Sequence, residues 1–235
     1  MKKIISMAIA AVMLVSATFA LDFEIGARGI LGKTFDNDWG TASEEIKGLN
    51  VNTEMDAGFG VYGNFALFGG LGIQAEVNVL KGTIQFTGDK VTWGSAGHTD
   101  EEIKKTEFDQ WLIDVPLMAW MNLDCWKLTI GFGLGANFSF AMEPSTDLKT
   151  IKDKVKETYD GKTFEVGFAA GVDVKFYFTN NLGIVASARY IGNFNETTRK
   201  YPVQFAGQDT EVEGPGIEFK RNSLYGGLGI EWKFF

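Results

Sequence analysis

Charged residues of both signs recur opposite apolar stripes along this chain: Glu24, Arg28, Glu76, Asp114, Glu165, Asp173, Lys175, Arg189, Glu231 and Lys233. If the segments that carry them enclose a dry interior, the chemistry open to them is ion pairing, because an isolated charge out of water is very costly. The set then reads as a structural plug of salt bridges that rigidifies a closed interior. A gated polar conduit is the sharper alternative. The plug is preferred, since a narrow enclosure of strands is filled by its own side chains.

Other chemical candidates are weaker. His98 is the single histidine, with Ser95 nearby. A Ser/His pair could serve hydrolysis, but no strand-borne third partner accompanies it, and a solvated loop histidine is the simpler reading. Cys125 is the single cysteine, so no disulfide framework exists within the chain. It reads as a small residue in a turn. One His and one Cys do not make a His/Cys metal cluster. Asp36, Asn37 and Asp38 begin like a calcium loop, but the spacing does not continue. Gly58-Phe59-Gly60-Val61-Tyr62-Gly63 spells G-x-G-x-x-G, yet it continues a strand pattern where a dinucleotide site needs a strand-to-helix turn. Asn195-Glu196-Thr197 fits a glycosylation sequon by spelling only. No catalytic residue, metal or cofactor is assigned, and the chain is read as non-enzymatic.

The elements that must position the charges are strands. Apolar residues alternate with small or polar ones through Phe23–Leu31, Met55–Phe65, Leu71–Val79, Trp111–Ala119, Leu128–Phe140, Phe164–Phe178, Leu182–Tyr190 and Leu224–Phe234. Each run has about the 9–11 residues that a tilted strand needs to cross hydrocarbon. Tight connections fall around residues 66–69, 122–126 and 179–181. Long polar segments lie near residues 33–54, 84–107, 142–162 and 195–221. This alternation of short periplasmic turns and long extracellular loops predicts an all-β fold: an eight-stranded antiparallel up-and-down transmembrane barrel.

Export agrees with that fold. Lys2 and Lys3 precede an uncharged apolar stretch from Ile4 to Val15, and small residues end at Ala20. Residues 1–20 are therefore read as a signal peptide and residues 21–235 as one barrel domain. The net charge of −8 grows more negative once both lysines leave, which argues against nucleic acid as a partner. No later run is long and apolar enough for a membrane helix, so a closed barrel is the remaining way to span.

Aromatics gather at both ends of the strands. Phe65, Phe68, Trp120, Trp126, Phe178, Trp232 and Phe234 fall near the tight turns; Trp111, Phe138, Phe140, Phe164 and Tyr190 fall near the loops. Two interface girdles are expected. In the loops, Thr99-Asp100-Glu101-Glu102 has the form of a helix capping box. Pro144-Ser145 precedes Leu148, Ile151, Val155 and Tyr159, an amphipathic helical spacing with lysines between. That helix is expected to cap the barrel mouth or to lie on the membrane surface.

The segment Trp111-Leu112-Ile113-Asp114-Val115-Pro116-Leu117-Met118-Ala119-Trp120 resembles a strand of the PorT-like and OmpX-like outer-membrane β-barrel families. The glycine-rich run Gly131-Phe132-Gly133-Leu134-Gly135-Ala136 resembles the strand that follows it there. The resemblance implies the bacterial outer membrane as location. It also implies outer-membrane lipid as surroundings and engagement of the barrel-assembly machinery through a C-terminal signal, here Trp232, Phe234 and Phe235. Parity places Phe234 on the lipid face and Phe235 off it. A monomer is expected. The preferred function is a scaffold displaying surface-recognition loops. The alternatives are a narrow pore or transporter for small or apolar solutes, a lipid-modifying enzyme using His98, and a soluble ligand-binding barrel with the apolar face inside.

Overall fold

The computed structural model of the chain describes residues 23–35, 46–47, 50–68, 70–93, 98–142, 164–194, 197–200, 203–204, 211–212, 216–219 and 221–234. Residues 1–20, read above as a signal peptide, together with Asp36 to Asp38, Ser95, the helical spacing at 144–159, Asn195 with Glu196, and Phe235 lie outside the described residues.

Eight long strands form the barrel: β1 (Phe23–Phe35), β2 (Met55–Phe68), β3 (Leu71–Trp93), β4 (His98–Cys125), β5 (Leu128–Ala141), β6 (Phe164–Tyr177), β7 (Leu182–Asn193) and β8 (Asn222–Phe234). Each pairs antiparallel with the next, and β8 returns to β1 from Phe23–Phe234 to Phe35–Asn222. The ring is thereby closed. Closure satisfies the backbone groups that hydrocarbon cannot. Pro116 has no N–H to give a ladder, and the β3–β4 register runs to Ala75–Leu117 and resumes at Asn78–Asp114.

The tight turns share one end. Gly70 adopts φ 80° between β2 and β3 and accepts the Asn122 N–H at 2.8 Å. A Cβ there would lie 2.4 Å from the Asn122 carbonyl oxygen, so both backbone conformation and space require glycine. Trp126 turns β4 into β5 at φ 57°. Thr179 Oγ1 accepts the Leu182 N–H at 2.9 Å before β7.

The outward positions explain the apolar stripes. Ile25 to Leu31 on β1, Met55 to Leu67 on β2, Leu71 to Val79 on β3 and Trp111 to Leu123 on β4 carry no outward charge. The same holds throughout β5 and β6, for Leu182 to Tyr190 on β7, and for Leu224 to Phe234 on β8. Trp111, Phe140, Phe164 and Tyr190 ring the loop end of this belt; Trp126, Phe178, Trp232 and Phe234 ring the turn end. Trp120 corrects the expected girdle. It shares the inward parity of Asp114 and Met118 and is 1% exposed.

The stretch 84–107 also departs from expectation. It is largely β-hairpin, because β3 and β4 continue well past the belt. Beyond Lys81 and Trp111 the pattern inverts. Ile84, Phe86 and Phe108 turn inward and are buried, whereas Thr83, Gln85, Glu107 and Asp109 face out. Phe86 and Phe108 meet edge to face at 5.7 Å. The Thr83 hydroxyl donates to Asp109 at 2.7 Å, and Gln85 donates to Glu107 at 3.0 Å. A short strand, Asn50–Thr53, pairs with β3 opposite Ile84 to Thr87. Water surrounds this extension, so the apolar face must turn to the interior. Thr99 to Glu102 accordingly sit in β4 and open no helix, and His98 is the first residue of β4, paired with Trp93.

Candidate functional site: the ion-paired lumen

Alternation sends every second side chain of each strand into a narrow interior, where small residues make room for large charged ones. The charges meet there in three levels.

The level nearest the tight turns is built around Lys175. Its Nζ lies 2.5 Å from Glu24 and 2.8 Å from Glu231. Tyr62 donates to Glu231 at 2.7 Å, and Tyr177 donates to both Glu231 and Glu24. Asn64 Nδ2 adds a bond to Glu24 at 3.3 Å. Lys233 stands at the rim: its side chain is 28% exposed, and Nζ is 3.8 Å from Glu24.

Glu76 centres the middle level. Arg28 pairs with it, and Arg189 reaches it at 2.7 Å while holding Asp173 at 2.7 Å with its other terminal nitrogen. Gln74 and Asn78 donate to the Glu76 carboxylate at 2.7 and 3.2 Å. Aromatic faces complete both guanidinium environments: Arg28 lies 5.2 Å over Tyr62, and Arg189 lies 5.0 Å over Trp120. No member of this level is more than 4% exposed.

Towards the loops, Arg221 pairs with Asp114 at 2.6 Å, and Ser139 donates to the same Asp114 oxygen at 2.7 Å. Asn193 donates to Glu165. Thr34 donates to Asp56 at 2.8 Å and exchanges a hydrogen bond with Ser223 at 3.0 Å. A cavity of about 30 Å³ lies among Thr34, Asp56, Gln110, Glu165 and Arg221. That is roughly the share of one water molecule. Between Arg28, Asn78, Arg189 and Tyr225 there is no room for even one.

All ten charges expected from the sequence therefore face the lumen or its rim. Reasoning on charge periodicity missed Arg221, which closes the polar run read as the last loop. It also missed Tyr62, Tyr177 and Tyr225, whose inward parity was the available signal. His98 and Cys125 stand at opposite ends of β4, and Cys125 is exposed. Among the described residues no group of His, Cys, Asp and Glu is suited to a metal ion.

Comparison with known proteins gives the same architecture. None of the curated proteins compared with the chain matches it. The solved structure of OprG from Pseudomonas aeruginosa superposes with a TM-score of 0.59 at 11% identity, over 91% of this chain and 96% of that one. Ail of Yersinia pestis, solved with the heparin analogue sucrose octasulfate, gives 0.46 at 12% identity, over 91% of this chain and 99% of that one. At 11% identity the likeness to OprG is one of fold. The family model described as the outer membrane protein beta-barrel domain matches residues 7–210. With a closed strand ring and an uncharged, aromatic-rimmed belt, the chain belongs to that family and is a protein of the bacterial outer membrane.

Proposed function

We propose that this barrel is a non-conducting, non-enzymatic scaffold for surface recognition. The observation that carries the reading is the filled lumen: paired charges occupy every level, and the cavity at its mouth has room for about one water. A barrel of eight strands has little interior to spare, and here the spare volume is cross-linked by ion pairs. The second support is the β3–β4 extension, whose buried Phe86 and Phe108 give it a core of its own above the membrane. Recognition commonly resides on segments held by a rigid frame. The Trp111–Trp120 segment supports kinship with PorT-like and OmpX-like barrels within the family. Trp232 and Phe234, outward on the closing strand, fit an assembly signal, and the uncharged belt fits a monomer in lipid.

Single-channel recording in planar bilayers tests the reading. The refolded full chain should give no stable unit conductance. Steady, reproducible openings would assign the protein to the pore alternative.

A further inference from the structure

The last long surface segment, between β7 and β8, folds back on itself as a hairpin. Thr197–Lys200 pairs with Gly216–Phe219, and Val203–Gln204 pairs with Glu211–Val212. The hairpin is rooted on β7 and β8, yet Val203–Gln204 lies beside β4. In the closed ring β4 stands four strands from β8 in either direction. A segment rooted on one wall that reaches the opposite wall has to cross the mouth of the barrel. Among the described residues its rungs form two ladders of their own, and none joins the barrel sheet. The hairpin thus lies across the mouth as a separate piece.

Arg221 makes the same crossing beneath it. This residue leads out of the hairpin into β8. Its carbonyl accepts the Asn193 N–H of β7 at 2.9 Å, which fixes the backbone on the near wall. Its guanidinium pairs with Asp114 of β4 at 2.6 Å and meets Ser139 of β5 at 3.4 Å. One buried side chain therefore ties the foot of the hairpin to the far wall through a charge-assisted bond, the strong and directional kind. On the β3–β4 side of the mouth, Ile84, Phe86 and Phe108 turn inward and are buried. They stand above the belt, where an apolar inner face stays dry only if something lies across it.

We infer that the hairpin is a lid over the barrel mouth and that the Arg221–Asp114 pair is its latch. With the pair made, the lid covers the apolar inner face of the β3–β4 extension. With the pair broken, the lid swings clear and bares that face to the exterior. The device decides which surface the barrel presents, and it stands whether or not the loops recognise a partner.

Electron–electron distance spectroscopy on the full chain refolded in phospholipid vesicles tests this. Spin labels go on Gln204→Cys in the hairpin and Glu107→Cys on the extension, with Cys125→Ser to remove the native thiol. The latched protein should give one narrow distance. Arg221→Gln should shift it to a longer, broad distribution, and Asp114→Asn should do the same. Lys175→Met, which breaks a lumen pair at the turn end, should keep the narrow distance. Heat-dependent gel migration reports that each variant is folded, and Asp114→Asn is decisive if Arg221→Gln does not fold. The inference is overturned if the starting protein already gives a broad distribution or if loss of the pair leaves the narrow one. Release by Lys175→Met to the same extent would equally overturn it, since the pair would then act through barrel stability alone.

Discussion

Lys175 Nζ lies 2.8 Å from Glu231, a residue of the last strand, and the same ammonium holds Glu24 of the first strand. β1 and β8 are the chain ends that meet to close the barrel. One cation on β6 therefore clasps both sides of the closing seam from across the lumen. Removing it leaves two carboxylates facing each other out of water. Lys175→Met should cost about 3–5 kcal/mol, the usual range for stripping one partner from a buried pair. Urea unfolding in phospholipid vesicles measures it. Adding Glu231→Gln should recover part of that loss. If the double variant is as unstable as the sum of the singles, the clasp is not a coupled unit.

The glycines of the wall are not equivalent. A Cβ at Gly133 would meet the Ala119 carbonyl oxygen at 2.4 Å and the Trp120 ring at the same distance, whereas one at Gly29 has its nearest neighbour at 4.0 Å. Gly133→Val should sharply lower the yield of heat-modifiable barrel, and Gly29→Ala should leave it unchanged. Equal yields would contradict the packing described for Trp120.

Phe108 is fully buried against Phe86 in the extension above the belt. Truncating a buried Phe costs about 3–5 kcal/mol. Phe108→Ala should expose residues 84–107 to protease while the membrane-embedded barrel stays resistant. Mass spectrometry of the digest locates the cuts. A hairpin as resistant as wild type would show that this core does not hold it.

Outside the membrane, the bond from Lys81 holds the Asp109 carboxyl below its ordinary value. A carboxylate with a depressed folded pKa adds stability above its unfolded pKa, and that stability is lost as pH falls through the lower, folded value. Both side chains are more than a third exposed, at 45% and 36%, so solvent screens the pair. Asp109→Asn should shift stability by less than about 1 kcal/mol at neutral pH. The difference from wild type should vanish on the acid side of the carboxylate range. Urea midpoints across pH follow it.

The strands and their faces were legible in the sequence because lipid imposes one rule on every outward position. Ile25, Phe59, Val77 and Leu134 obey it, and their neighbours Glu24, Gly60, Glu76 and Gly133 fall inward by parity. The hairpin beyond Lys81 was not legible, since the rule reverses where water replaces lipid. Ile84 and Phe86 then belong to the inner face, and the polar residues between them look like loop. Arg221 was hidden for a related reason: a long polar run precedes it, and nothing local marks the return to the lumen. Which charge meets which was not legible either. Glu76 joins Arg28 from β1 and Arg189 from β7, and only the closed ring brings those strands around one carboxylate.

The central claim is that ion pairs plug the lumen, and liposome swelling tests it most directly. Vesicles holding the refolded wild-type chain should not swell in small sugars or amino acids. The double variant Glu76→Ala/Arg189→Ala, which removes the central carboxylate of the middle level and one of the guanidinium groups paired with it while its fold is checked by heat-dependent migration, should swell measurably. Wild-type vesicles that swell as readily as the double variant would contradict the account.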